Sequence, residues 1–133
     1  MIVKRGIAYI IDFSMALVPF YIYFQLFKHK NPDGEFVVKG GTGIPFFWLT
    51  YSFYFIFQEY KWHRTIGKRI FRLKVVKTDN SKLSLPDVLK RHLFDFVEMI
   101  LIPVLPVIIA SLNDKNQRLG DLIAKTQIVR DHP

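Results

Sequence analysis

The chemistry this sequence could do rests on ionisable side chains set inside apolar runs. Asp12 is the sole charge between Gly6 and Phe27. A carboxylate at mid-membrane costs roughly 2.5–3.5 kcal/mol on insertion scales, so it faces protein or water and has a partner. Three roles fit it: an interhelix hydrogen-bonding group, a station for a cation or proton, or a contact with a partner. Arg5 lies two helical turns earlier on the same face, too far for a direct ion pair but able to share a polar seam. Arg91, Asp95 and Glu98 form a second set. Their spacing puts them on one stripe of a helix and predicts an Arg91–Asp95 pair; a solvated interfacial face is the plainer alternative. Glu59, at the end of another apolar run, is placed to join that cluster.

Other chemistries are excluded or poorly supported. The chain has no Cys, so disulfides, thiol catalysis and Cys-ligated metals are out. His63 and His92 lack metal-ligand spacing, and there is no nucleophile elbow or Ser-His-Asp order. Gly40-Gly41-Thr42-Gly43 lacks the Lys-Ser/Thr of a phosphate loop and reads as a hinge. We therefore expect no enzyme, no cofactor and no metal.

The elements that must position these groups are set by segregation of apolar and basic blocks. The 133 residues make one domain, 1–133. They are 50% hydrophobic, yet carry 19 Lys+Arg against 11 Asp+Glu, with a mean hydropathy of +0.18. That combination excludes disorder and argues against a soluble domain. Residues 6–27 span roughly 33 Å as a helix, enough for a bilayer core. No small-residue cleavage site closes this run, so it reads as an uncleaved membrane segment. Residues 44–60 are a shorter second span, rich in interfacial aromatics such as Trp48 and Tyr60. The third covers about 88–112 and contains Pro103 and Pro106. It is expected as one kinked span, with a re-entrant hairpin as the alternative. Ser84 and Asp87 have the spacing of a capping box at its start. The predicted fold is an all-α membrane protein of about three transmembrane helices. A small β-hairpin-like cytoplasmic loop, residues 70–76 returning through 82–85, joins the second span to the third. Residues 113–133 form a polar tail.

Loop charges orient these spans. The N-terminal arm and the loop 61–82 carry ten Lys and Arg between them, against three in the first loop, which places the amino terminus and the second loop inside. The basic loop 61–82 also suits anionic lipid; nucleic acid does not fit a chain with such long apolar runs. The side of the tail is left open by these counts.

Four motifs in order complete the pattern. Arg5 to Asp12 reads R-x-x-A-x-x-I-D. Thr65, Gly67 and Lys68 open T-x-G-K-R, followed by Leu73-Lys74-Val75-Val76. Arg91 and Asp95 form R-x-x-x-D. Gln117-Arg118-Leu119-Gly120-Asp121 leads to Ala124 and Thr126. Together they resemble the RDD family of bacterial membrane proteins over nearly the whole chain. The resemblance implies a small multi-pass inner-membrane protein, with ion or small-solute transport, including ion–proton antiport, as the expected activity. It maps Arg5 and Asp12 to the first two name-giving residues and Asp121, or alternatively Asp95, to the third. Three spans hardly enclose a pathway, so a homo-oligomer is expected; the alternative is a non-transporting subunit binding a membrane-protein partner or anionic lipid. For the closing motif we expect Gly120 in a tight turn and Arg118 or Asp121 paired with charges at the membrane boundary.

Overall fold

The computed structural model describes residues 1–101 and 105–132, mostly helical, with two small sheets. The first apolar block forms α1, Ile2–Phe27, and the second forms α2, Gly43–Trp62. Among the described residues, α1 is the one helix long and apolar enough to cross a membrane by length and composition. It begins four residues before the expected 6–27 span, which brings Arg5 inside the helix. Val3, Ile10, Val18, Ile22 and Leu26 point out from it. Ala8 and Ala16 point inward and are almost fully covered; such small residues let neighbouring backbones come close. α2 packs on α1 through an aromatic core, in which Ala16, Tyr51 and Phe55 are enclosed by Tyr9, Phe13, Phe47 and Trp48. A short antiparallel pair, β1 (Lys28–Lys30) and β2 (Phe36–Val38), caps one end of the two helices. Asn31 and Gly34 close its turn, where Gly34 has φ +83°.

At the other end, His63 leaves α2 with φ 56°, and a short helix, α3 (Ile66–Ile70), packs against α1. The strand expected near residues 70–76 is β3, Leu73–Lys77. The hairpin is not formed. β3 pairs antiparallel with β4, Thr126–Arg130, in the tail, from Leu73↔Arg130 to Lys77↔Thr126. The turn at 78–81 is present, and Asp79 accepts bonds from Ser81 N–H and Oγ–H at 2.9 and 2.6 Å. No return strand follows, because Leu83 drops into a core with Leu73, Val75, Val88 and Ile128. Ser84 already starts the next helix, its N–H and Oγ–H both donating to Asp87 at 3.0 and 2.6 Å.

That helix is α4, Leu85–Leu101; α5 follows as Leu105–Ser111. The described part of the expected span 88–112 lies in these two elements; of the two prolines expected to kink it, Pro106 is in α5 and Pro103 lies outside the described residues. The tail is not loose. It folds as α6, Leu119–Ile123, and β4. Through β4 on β3, and α6 on α4, it sits at the α3 end of the α1–α2 pair.

Candidate functional site

Two buried nodes occupy that end. The first is built on Asp12, which is completely covered. Its Oδ1 accepts from Gly67 N–H at 2.8 Å and from Tyr54 Oη–H at 3.1 Å, and its Oδ2 from Thr65 Oγ–H. Thr65 stands just before α3 in an extended conformation, so its hydroxyl and the Gly67 amide reach the same carboxylate. Gly67 lies so close to α1 that a Cβ there would run into the Ala8 backbone carbonyl. The carboxylate that costs most in the apolar run is therefore satisfied by three neutral donors. The sequence foresaw the need for a partner but not Tyr54. Arg5 and Asp12 do not bond each other, as their spacing dictates.

The second node is a lattice of charges contributed by α1, α2, α3, α4 and the α6 region. Arg91 is 1% exposed. It reaches Glu59 at 3.1 Å and Asp121 at 2.9 Å. Asp121 also takes Arg5 at 2.8 Å and the Arg118 N–H at 3.1 Å. Glu59 also takes Lys68 and His92 Nε2, the latter at 3.0 Å. Asp95 takes His92 Nδ1 at 2.8 Å and Arg118 at 3.1 Å. The i,i+4 pair expected between Arg91 and Asp95 is replaced by partners on other elements, because α4 turns this stripe into the bundle, not toward solvent. Glu59 joins the cluster as expected. His92, excluded as a metal ligand and otherwise unassigned, is central to it: both ring nitrogens face carboxylates, an arrangement that a doubly protonated imidazole satisfies.

Gly120 is also placed differently from the expectation. It is the second residue of α6, and the tight positive-φ turns lie at Asn116 and Lys125. What Gly120 provides is approach: a Cβ would stand 2.5 Å from the Arg91 carbonyl oxygen. The absence of a side chain lets α6 sit on α4 and brings Asp121 to Arg91. Arg118 and Asp121 pair with charges, as expected, but inside the lattice.

Outside the long helices the charges perturb one another in a clear direction. Burial pushes the Asp121 carboxyl up, but the guanidiniums of Arg91, Arg118 and Arg5 outweigh it and hold it well below the usual carboxylate range. Burial pushes the Arg118 guanidinium down, and Asp95 and Asp121 more than reverse that. For Lys68 burial prevails over the attraction of Glu59, and its ammonium is pushed below the ordinary lysine value. Asp121 is therefore ionised at neutral pH.

A model of the RDD family matches residues 1–125, so the four motifs and the geometry they build can be read together. The chain belongs to the RDD family. No curated protein and no solved structure matches it significantly. In this RDD chain the signature residues fall into the two nodes. Arg5 meets Asp121, Asp12 meets Thr65 and Gly67, and Lys68 and Arg91 meet through Glu59. Family membership together with α1 points to a membrane protein.

Between the two nodes lies a cavity of about 300 Å³. Its polar wall includes Arg5, Asp12, His92, Asp95 and Glu98, and its apolar wall Phe55, Val107 and Ala110. Glu98 is 1% exposed and accepts the Leu119 N–H at 3.0 Å through Oε1. Its Oε2 has no hydrogen-bond partner among the described residues. Among the described residues no group of His, Asp and Glu is arranged to hold a metal ion.

Proposed function

We propose that this RDD protein is a multi-pass protein of the bacterial inner membrane that moves a cation or small solute, as a homo-oligomer, through the cavity between the two nodes. The observation carrying this reading is Glu98, a buried carboxylate on the cavity wall with one oxygen unclaimed. Beside it, His92 and Asp95 form a hydrogen-bonded acid–base pair that can take up and release protons. Asp12 is the weaker candidate for the mobile charge, since three donors already occupy it; we assign it the interhelix role. α1 and α2 cross the bilayer in this reading. α4 and α5 form a re-entrant pair, which agrees with the tail lying against β3. Exposed Lys61 and Arg69 near Trp62, Ile66 and Ile70 favour a second role for the loop, contact with anionic head groups at the inner surface.

Dye-quenching flux in liposomes containing the purified protein tests the reading. Wild-type protein is expected to dissipate an imposed cation or proton gradient, and Glu98→Gln to insert normally but lose at least tenfold in rate. A wild-type rate equal to that of empty liposomes would rule out cation and proton transport and favour the lipid-binding subunit. Cysteines introduced at positions 33, 79 and 131 test the topology. Labelling of 79 and 131 from one side and 33 from the other supports the re-entrant arrangement; labelling of 33 and 131 together refutes it.

A further inference from the structure

A groove of about 450 Å³ lies between α2 and α4. Trp48, Ser52 and Ile56 recur every four residues along its α2 side, and Leu89 and Leu93 do so along its α4 side. Buried Tyr51 and His92 form the floor. The polar atoms of that floor are taken: the Tyr51 hydroxyl by Tyr9, and the ring nitrogens of His92 by Glu59 and Asp95. Lys90 is the one exposed charged residue among the described lining residues. It makes no ion pair among the described residues.

Charge and apolar surface sit at different depths in this groove. α2 ends and α4 begins at the same end of the bundle, with α3 and β3 between them. Lys90 is the sixth residue of α4, which places it roughly 8 Å along the helix from its start. Ile56 packs on the Val88 core near that start. Trp48 lies roughly 12 Å farther along α2, held by ring contacts with Phe47 and Tyr51. A soluble anion would meet Lys90 and leave the apolar length bare. An uncharged chain would cover the apolar length and leave Lys90 unmatched. A phospholipid satisfies both, and basic pockets between helices on the cytoplasmic side favour anionic head groups.

We propose that this groove is a binding site for one anionic phospholipid of the inner leaflet, with its phosphate on Lys90 and one acyl chain laid along Leu89, Leu93 and Trp48. Neither Lys61 nor Arg69 lines the groove, so the site is separate from the head-group contact of the basic loop. It rests on the membrane placement of α2 and α4 and does not depend on transport.

The chain has two Trp, and Trp62→Phe leaves Trp48 as the sole tryptophan reporter, inside the groove. The test is quenching of Trp48 by bromine-labelled acyl chains, in the full-length Trp62→Phe protein in phosphatidylcholine vesicles. Labelled phosphatidylglycerol is expected to reach half-maximal quenching at a mole fraction about fivefold lower than labelled phosphatidylcholine, the preference that one basic residue near the surface gives. Lys90→Gln should make the two lipids quench alike; its side chain is exposed, so folding is not at stake. Ser52→Phe fills the groove, leaves every charge in place and should remove the preference as well. Equal quenching by the two lipids without either further substitution overturns the proposal while leaving α2 in the bilayer. A preference kept in Lys90→Gln also overturns it and moves the selectivity to the basic loop. Quenching by neither lipid overturns the site: disulfide dimers through Leu93→Cys would then give the groove to a second copy of the chain, and their absence would take α2 out of the bilayer.

Discussion

Asp12 and Asp121 are both fully buried carboxylates at one end of the same helical bundle, and they are satisfied in opposite ways. Asp12 is met by a hydroxyl, a phenol and a backbone amide. Asp121 is met by two guanidiniums and a backbone amide. The first node works as a clip: it fixes α3 on α1 through short, directional bonds, and it depends on the close approach at Gly67. The second works as a lattice, in which Glu59, Arg91, His92, Asp95 and Asp121 each have two or three partners. Hydrogen bonds to neutral donors can be lost one at a time at modest cost. A shared buried charge cannot, because removing one member strands its neighbours.

The contrast can be tested by breaking each node at its most connected point. Arg91→Met removes the cation shared by Glu59 and Asp121 while keeping an apolar stem. It is expected to destabilise the protein by about 3–5 kcal/mol, the usual penalty for stranding a buried charge, measured by denaturant unfolding in detergent. A loss below about 1 kcal/mol would mean that Lys68, His92 and Arg5 suffice, and that the lattice is redundant. Gly67→Ala attacks the clip through its backbone approach. Forcing α3 away from Ala8 is expected to cost about 1–3 kcal/mol, and a melting temperature equal to wild type would show that α3 can slide without disturbing Asp12. Tyr54→Phe removes one of the three donors to Asp12, together with the contact of the same hydroxyl with Gln58. Its expected cost is the smallest, about 0.6 kcal/mol, typical of interhelix hydrogen bonds in membranes; a loss comparable with that of Arg91→Met would erase the distinction between the nodes.

Much of this arrangement was legible in the residues. The apolar blocks located α1 and α2 to within a few positions, since length and hydropathy decide such helices locally. The isolated Asp12 pointed to a buried group with partners; for Arg91, Asp95 and Glu98 a solvated face stood as the alternative, and the structure buries all three. The partners themselves were less legible. Spacing along a helix suggests i,i+4 neighbours, so Arg91 was matched with Asp95, whereas its ion pairs lie on α2 and α6. His92 gave no local signal, because its role depends on Glu59 arriving from another helix. The tail was the largest omission. Thr126 and Ile128 alternate with Gln127 and Val129 as a half-buried strand should, but five residues after a polar stretch are a weak pattern. Nothing local said that β3 would reach past the nearby 82–85 segment to find them. Gly120 was correctly picked as special and wrongly explained: a turn and a close helix approach both call for glycine, and the sequence alone does not separate them.

The Arg5–Asp121 pair has a consequence in time as well as in space. Its members are 116 positions apart, and a chain made from its amino terminus presents Arg5 to the membrane long before Asp121 exists. Ribosomes add residues at about 5–20 per second, so the first helix waits several seconds with its guanidinium unmatched. During that interval water or lipid phosphate must serve as the counter-ion, whereas Glu59 has Lys68 only nine positions later. The bundle is thus assembled open and locked last, when α6 and β4 emerge and close on the elements made first. Shortening the chain before Asp121 should leave a protein that inserts but never locks, and that quality-control proteases recognise by its unmatched charges.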